Sequence, residues 1–308
     1  MVRKSSAEKA PAPEKAGASK QKYRSRGPTS EALHRFFKQP LGIIGLSILF
    51  LEILIAVFAP FIVSSSPTDQ QLTEKLQPPS FKHIMGTDNL GRDVFSRIIY
   101  GARNTLGGAM LALIILTLLG VLIGGLAGYV GGVVEQILMR MTDAMLSFPY
   151  LVLALGLAAA FSPSLLTVVV AVSVTWWGHY ARIIRGMVMG IREAPYVEAA
   201  KALGVGNLRI LRTHVFPNII PPILVLSTLD LGLIVLAVAA LSYLGLGIQP
   251  PSPEWGMMLN EARLFMFMAP HLMIIPGAMI FVTVLAANLL GDALRDAFDP
   301  RQRIRKII

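Results

Sequence analysis

The chain of 308 residues contains no cysteine, so disulfides, thiolate metal sites and cysteine nucleophiles are all excluded. Charge is scarce. Asp, Glu, Lys and Arg make up 15% of the residues, where a soluble domain carries about 25%. No GxxxxGK[ST] run occurs, which excludes nucleotide binding through a P-loop. HExxH and GxSxG are missing too, so neither a zinc-peptidase helix nor a nucleophile elbow is present. There is no repeat of solenoid length and no cleavable signal peptide, since about forty polar residues precede the first apolar run. No catalytic, cofactor-binding or metal-binding residue is therefore expected.

Apolar length fills the space these absences leave. Hydrophobic residues make up 54% of the chain and the mean hydropathy is +0.62. Several runs approach or exceed the ~20 residues that cross a bilayer as a helix. The chain reads as an all-α polytopic membrane protein, with six spans expected near 41–63, 105–128, 136–161, 165–186, 218–247 and 271–291. The net charge of +10 is no nucleic-acid footprint, because it collects at the ends of spans. Residues 1–40 carry ten lysines and arginines, 182–212 six, and the segment after Leu294 five; Arg140 adds one. Only six lie on the other side: Lys75, Lys82, Arg92, Arg97, Arg103 and Arg263. The richer side is cytosolic by the positive-inside rule, so both termini and the 187–216 loop are expected inside.

Composition divides the chain further. Residues 1–29 read as a disordered basic cytosolic tail. Residues 30–63 should hold a surface helix, N-capped by Ser30 and running through Lys38, followed by the first span. Residues 64–104 form an external segment: a Pro-rich loop, then a helix from near Gly91. Thr87 or Asp88 could cap that helix, and Asp93 and Arg97 lie at i,i+4. Residues 105–292 are the membrane core, with a polar loop at 187–217, and 293–308 form a basic cytosolic tail.

Several constellations invite chemistry and have plainer readings. His83, Asp88 and Asp93 could suggest a metal site, but Arg92 and Arg97 stand beside the two acids. The 14 methionines, Met266 and Met268 among them, read as filler of apolar helices. Trp176, Trp177 and His179 inside the fourth span read as a helix contact. Asp230 is different. An unpaired Asp at mid-membrane costs about 2.5–3.5 kcal/mol on insertion scales, so it must face the bundle interior or a wet path. It is a candidate translocation-path residue, or else a buried acid paired with a group of a partner subunit. Glu52 poses the same question, with a structural role favoured.

The polar interval Glu198–Pro217 stands out between two apolar runs. Pro195 suits the first turn of a helix and Gly204 the residue past its end. Glu198, Ala199 and Ala200 lie between them, and small side chains let another surface approach the backbone. Asn207 could cap a second short helix, and Pro217 opens the next span. Pattern alone favours an ordinary connecting loop with a solvated charged face.

Glu198-Ala199-Ala200, three residues, Gly204, then Phe216-Pro217 resembles the EAA loop of binding-protein-dependent ABC importer permeases. His83-Ile-Met-Gly86-Thr87-Asp88-Asn-Leu-Gly91-Arg92-Asp93 resembles the segment before the second span in the dipeptide/oligopeptide/nickel branch of that family. Arg140 with Asp143 and Phe148-Pro149, the Leu241–Gly247 run, and Asn288-Leu-Leu-Gly291-Asp292 resemble later spans of its shorter, C-type subunit. The chain departs from the pattern at Val238, where a glutamate is common, and at Tyr243, where phenylalanine is. The resemblance implies the type I ABC importer permease fold, with no enzyme activity or cofactor in this chain. It also implies a second homologous permease, two cytosolic ATP-binding subunits, an external solute-binding protein, and a docking role for Glu198, Ala199, Ala200, Gly204 and Pro217. Di- and oligopeptides are the expected cargo; nickel chelates, glutathione and cationic peptides stay open, as does an ion-coupled secondary transporter using Asp230. An intramembrane enzyme is the most distant of the readings.

Overall fold

The computed structural model describes residues 28–63 and 65–298. Nearly all of the expected 1–29 tail and the last part of the 293–308 tail lie outside the described residues. Among those described, the regular structure is helical and no named strand forms.

Helix α1 (Pro28–Phe36) begins before Ser30, which lies within it, and ends two residues before Lys38. Phe36 turns inward onto Ala293 and Ala297, while Leu33 and Phe37 stay exposed. Helix α2 (Pro40–Val57), with the short α3 (Ala59–Ile62), matches the first expected span. Its buried residues are Gly42, Gly45, Leu49, Glu52 and Ala56, a three-and-four spacing that makes one helix face. Gly42 and Gly45 let that face sit directly on α12 (His271–Phe298).

The second span merges with the helix expected before it. Asp93 is the N-cap, accepting from Ser96 N at 2.8 Å, and α4 then runs unbroken from Val94 to Val130. At about 1.5 Å per residue, its 37 residues outrun the ~30 Å hydrocarbon core, so one end projects beyond it. The capping role thus falls to Asp93, not to Thr87 or Asp88.

The third expected span, 136–161, is not one helix. Helices α5 (Gly132–Leu146) and α6 (Tyr150–Ala159) meet at 85°. Pro149 explains the break: it has no N–H for the ladder and keeps the residue before it out of helical geometry. Helix α7 (Leu165–Arg192) carries the fourth span and extends past its expected end. Four described helices are long and apolar enough to cross a membrane by themselves, or five if the bent pair is one span. Helix α7 falls short of that measure because Trp176, Trp177, His179 and Arg182 dilute its apolar run. It is nonetheless the central helix, with Val168, Ala171, Val172, Tyr180, Ala181 and Ile184 fully or almost fully buried.

Helix α8 (Pro195–Ala202) and α9 (Asn207–Ile210) follow, then a π-helical turn at Leu211–Val215 that feeds α10 (Phe216–Tyr243). Helix α11 (Trp255–Ala262) sits between α10 and α12 in the chain and packs against both.

A row of glycines positions the two central helices. Gly120, Gly124 and Gly128 recur every four residues along α4, so they share one face. A Cβ at Gly124 would lie 2.3 Å from the Ala181 carbonyl oxygen, one at Gly128 2.7 Å from that of Arg185, and one at Gly120 2.3 Å from the Tyr180 Cβ. Small residues at this spacing let two backbones touch, the main source of helix attraction in lipid. Gly125, one residue on, faces open space.

This gives a paired test. Gly124→Leu should lower the thermal stability of the purified protein by an amount at or above the ~1–3 kcal/mol of ordinary overpacking. Gly125→Leu should leave it unchanged or raise it slightly. Equal melting behaviour of the two variants would remove the glycine row from the packing.

Candidate functional site

Two polar regions lie at opposite ends of the bundle. The first is the 193–217 loop. Ala194 sits in extended geometry before α8, and Pro195 takes the first turn. The helix ends in a Schellman closure: Val205 N donates to Ala200 O at 3.1 Å and Gly204 N to Lys201 O at 2.9 Å. Gly204 has φ +79°, which a side chain with a Cβ resists, while space around it is open. Its glycine is thus required by the turn, and a substituent there would point at whatever lies outside.

The loop is anchored from beneath. Val197 and Ile210 are fully buried and Val215 almost so. The Tyr129 hydroxyl donates to Asn207 Oδ1 at 3.0 Å, and Arg192 Nη1 donates to Tyr129 O at 3.1 Å, which ties the loop to the end of α4. Asn207 therefore binds Tyr129; the N-cap of α9 is Gly206. Arg185 bonds Glu135, and Arg182 Nη2 meets Asp143 Oδ1 at 2.6 Å, joining α7 to α5.

The outward face carries exposed apolar side chains among its charged ones. Leu203 is 85% exposed and Leu208 80%, with Tyr196 half exposed beside them and its ring 5.8 Å from that of His214. Glu198, Ala199, Gly204 and Pro217 are exposed too, and Ala200 partly so. Sequence reading picked out the small residues and passed over the two leucines, whose signal was their position in a polar interval with no helical stripe to bury them.

The second region joins the 64–93 segment to α11. Arg92 Nε bonds Asp88 Oδ2 at 2.6 Å; Arg92 Nη2 and Arg97 Nη2 reach the two oxygens of Glu261 at 2.9 and 2.5 Å. Both guanidinium groups are buried, and a charge buried so deeply needs such partners. The expected Asp93–Arg97 pair is replaced: Arg97 goes to Glu261, and Asp93 caps α4 and meets His83 Nδ1 at 3.0 Å. Glu254, fully buried, caps α11 by accepting from Gly256 N and Met257 N, and accepts from Thr105 Oγ1 at 2.8 Å. Trp255 Nε1 donates to Ile98 O at 3.0 Å.

Between these ends lie two buried acids. Glu52 meets the Thr283 hydroxyl at 3.0 Å on both oxygens, linking α2 to α12. Asp230 is 7% exposed and faces α7 of its own chain, with Tyr180, Trp176 and His179 as neighbours. Its Oδ2 lies beside the Tyr180 hydroxyl and Trp176 Nε1, and none of these three atoms closes a well-aligned hydrogen bond among the described residues. Trp176 packs edge-on to Tyr150 at 4.3 Å, the helix contact expected of it.

A family model described as the binding-protein-dependent transport system inner membrane component matches residues 120–304. The chain belongs to that family. A second model, the N-terminal TM domain of oligopeptide transport permease C, matches residues 27–79. A dipeptide transport system permease protein of Alkalihalophilus pseudofirmus is 41% identical over 91% of this chain and 92% of its own length. A nickel transport system permease protein of Escherichia coli K12 is 39% identical over 83% and 93%, and a glutathione transport system permease protein of Pectobacterium atrosepticum 39% over 90% and 92%. The methionine ABC transporter MetNI, solved in inward-facing conformations, superposes with TM-score 0.53 at 19% identity, covering 66% of this chain and 97% of that one. The chain is thus an ABC importer permease subunit embedded in a membrane, with ATP hydrolysis on separate subunits.

The His83 contacts give this permease a pH-dependent element. The hydrogen bond to Asp93, then that to Glu74, holds the imidazole above its ordinary value, against partial burial. Glu74 is held low by Lys82 and then His83. The histidine contribution is full below its unfolded value of about 6.5 and is lost as pH rises through the raised folded value. Amide exchange across 72–93 should accelerate as pH rises from about 6.5 through the raised folded value, beyond its intrinsic base dependence, and His83→Gln should abolish that excess. An excess that persists in the variant would assign it to another group.

Proposed function

We propose that this chain imports short peptides across the bacterial inner membrane, as one of two homologous permeases that enclose the path. Both termini and the 193–217 loop lie in the cytosol in this reading, supported by the concentration of Lys and Arg on that side. Two cytosolic ATP-binding subunits drive the machine and an external solute-binding protein delivers the cargo. Relatives named for dipeptide transport support the peptide cargo. Relatives named for nickel and glutathione transport support a second reading with those cargoes on the same machinery.

The observation that carries the mechanism is the pair of exposed leucines, Leu203 and Leu208, on the outer face of a loop anchored beneath by Val197, Ile210 and Tyr129. Exposed leucines on a closed, anchored helix pair suit a protein partner. Glu198, Ala199, Ala200 and Gly204 form the contact face with an ATPase subunit, and Pro217 starts the span that receives the motion. Closure of the ATPase pair on ATP pushes this face. Val197, Ile210 and Val215 pass the push into α7 and α10, and the cavity between the two permeases changes the side to which it opens. Asp230 belongs to the wall of the path; burial of an acid among Tyr180, Trp176 and His179 inside a membrane span supports that role.

Reconstituted transport tests the reading. Leu203→Asp and Leu208→Asp should each weaken association with the ATPase subunits about tenfold or more, the loss of a buried apolar contact at an interface, while membrane insertion stays normal. Gly204→Trp should uncouple ATP hydrolysis from uptake. Normal peptide uptake in all three variants would remove the loop from the drive. Uptake that follows an ion gradient without the ATPase subunits would overturn the whole mechanism.

A further inference from the structure

A groove of about 490 Å³ separates the second half of α2 from α4. Ile53, Ala56 and Val57 form one wall, and Leu106, Gly107 and Met110 the other. Its single charged lining residue is Arg103. A volume between about 300 and 1,000 Å³ is usual for a small-molecule site. Arg103 also lines a second, more polar hollow of about 470 Å³, walled by Tyr100, Asn104, Thr68 and Ser252 together with Pro67 and Pro253. One guanidinium therefore stands between an apolar channel and a polar bowl.

Arg103 is exposed and has neither a hydrogen-bond nor an ion-pair partner among the described residues, whereas Arg92 and Arg97 nearby in sequence are both paired. The apolar channel continues along α2. Leu46, Phe50, Ile53 and Val57, spaced by four, three and four residues, are all exposed, about a quarter turn around the helix from the face that packs on α12. Ile53 and Val57 belong to both the stripe and the groove wall, so the two surfaces are continuous. At the other wall, Gly107 leaves the channel open: a Cβ built there meets nothing within 4 Å.

We propose that the groove holds an acyl chain of one glycerophospholipid, with its phosphate paired to Arg103 and its headgroup in the polar bowl. The three parts match the ligand in order. Apolar walls at membrane depth take the chain, a guanidinium at the polar boundary takes the phosphate in charge-assisted, bidentate fashion, and hydroxyl and amide groups beyond it take the headgroup. Continuity of the channel with the exposed apolar stripe of a membrane-spanning helix favours a lipid over a peptide cargo, which would enter from water. The inference depends on the membrane embedding and is independent of the loop mechanism.

The test counts tightly held phospholipids by native mass spectrometry on the permease purified with its accompanying subunits. Gly107→Leu builds into the channel from a position whose Cβ meets no protein atom within 4 Å, and it improves helix propensity. That variant and Arg103→Gln should each lose one phospholipid per complex that the unaltered protein keeps through detergent exchange. Gly125→Leu, on open surface elsewhere on α4, should keep it. Unchanged retention in both groove variants overturns the proposal, and so does a peptide found in place of the lipid in the unaltered protein.

Discussion

The contact between α4 and α7 is the constraint on which the rest of the molecule depends. Lipid tails are as apolar as leucine, so burial alone gives membrane helices little reason to associate. Here the Gly120, Gly124 and Gly128 face removes side chains from one helix, and the carbonyls of Ala181 and Arg185 come down onto its backbone. Once α7 is seated, its other faces are committed. Val168, Ala171 and Ile184 close the core, Trp176 meets Tyr150 of α6, and Tyr180 meets the α10 side through Asp230.

The same two helices set both polar ends. At one end α4 begins on Asp93, and the buried pairs of Arg92 and Arg97 with Glu261 hold α11 against it, helped by Glu254 on Thr105. At the other end α4 finishes at Tyr129, which binds Asn207 and Arg192, and α7 runs on into the loop. A push on the loop has a short, packed route into the core in the proposed mechanism. The π-helical turn at Leu211–Val215 and the 85° break before α6 are the places where regular helix geometry is already relaxed. The groove proposed to hold a lipid lies off this route, between α2 and α4.

Much of this was legible in the sequence, for physical reasons that differ by element. Long apolar runs announce spans because few other folds tolerate them, and Pro195 with Gly204 bracketed α8 correctly because proline and glycine have fixed backbone preferences. The break at Phe148-Pro149 falls inside the run expected as the third span, 136–161, because the apolar stretch continues across it. The pairing of Arg97 with Glu261 could not be read, as the two are joined only by tertiary structure. Local spacing suggested Asp93 instead, and capping of α4 took that carboxylate. The glycine row had a readable signal, a four-residue repeat; what made it a contact was the partner backbone, which no single-sequence pattern names. Leu203 and Leu208 were overlooked for the opposite reason: two apolar residues in a polar loop are unremarkable until their exposure is known.

Since the chain has no cysteine of its own, a single introduced one reports without background. The central claim is that the face around Leu203 touches an ATPase subunit and moves with it. Leu203→Cys, crosslinked in intact complexes to cysteines scanned across the ATPase surface, tests it most directly. The account predicts a strong crosslink to one ATPase subunit that changes in yield when ATP is bound. An intact, transporting complex in which Leu203→Cys never crosslinks to an ATPase subunit, with or without ATP, would contradict it.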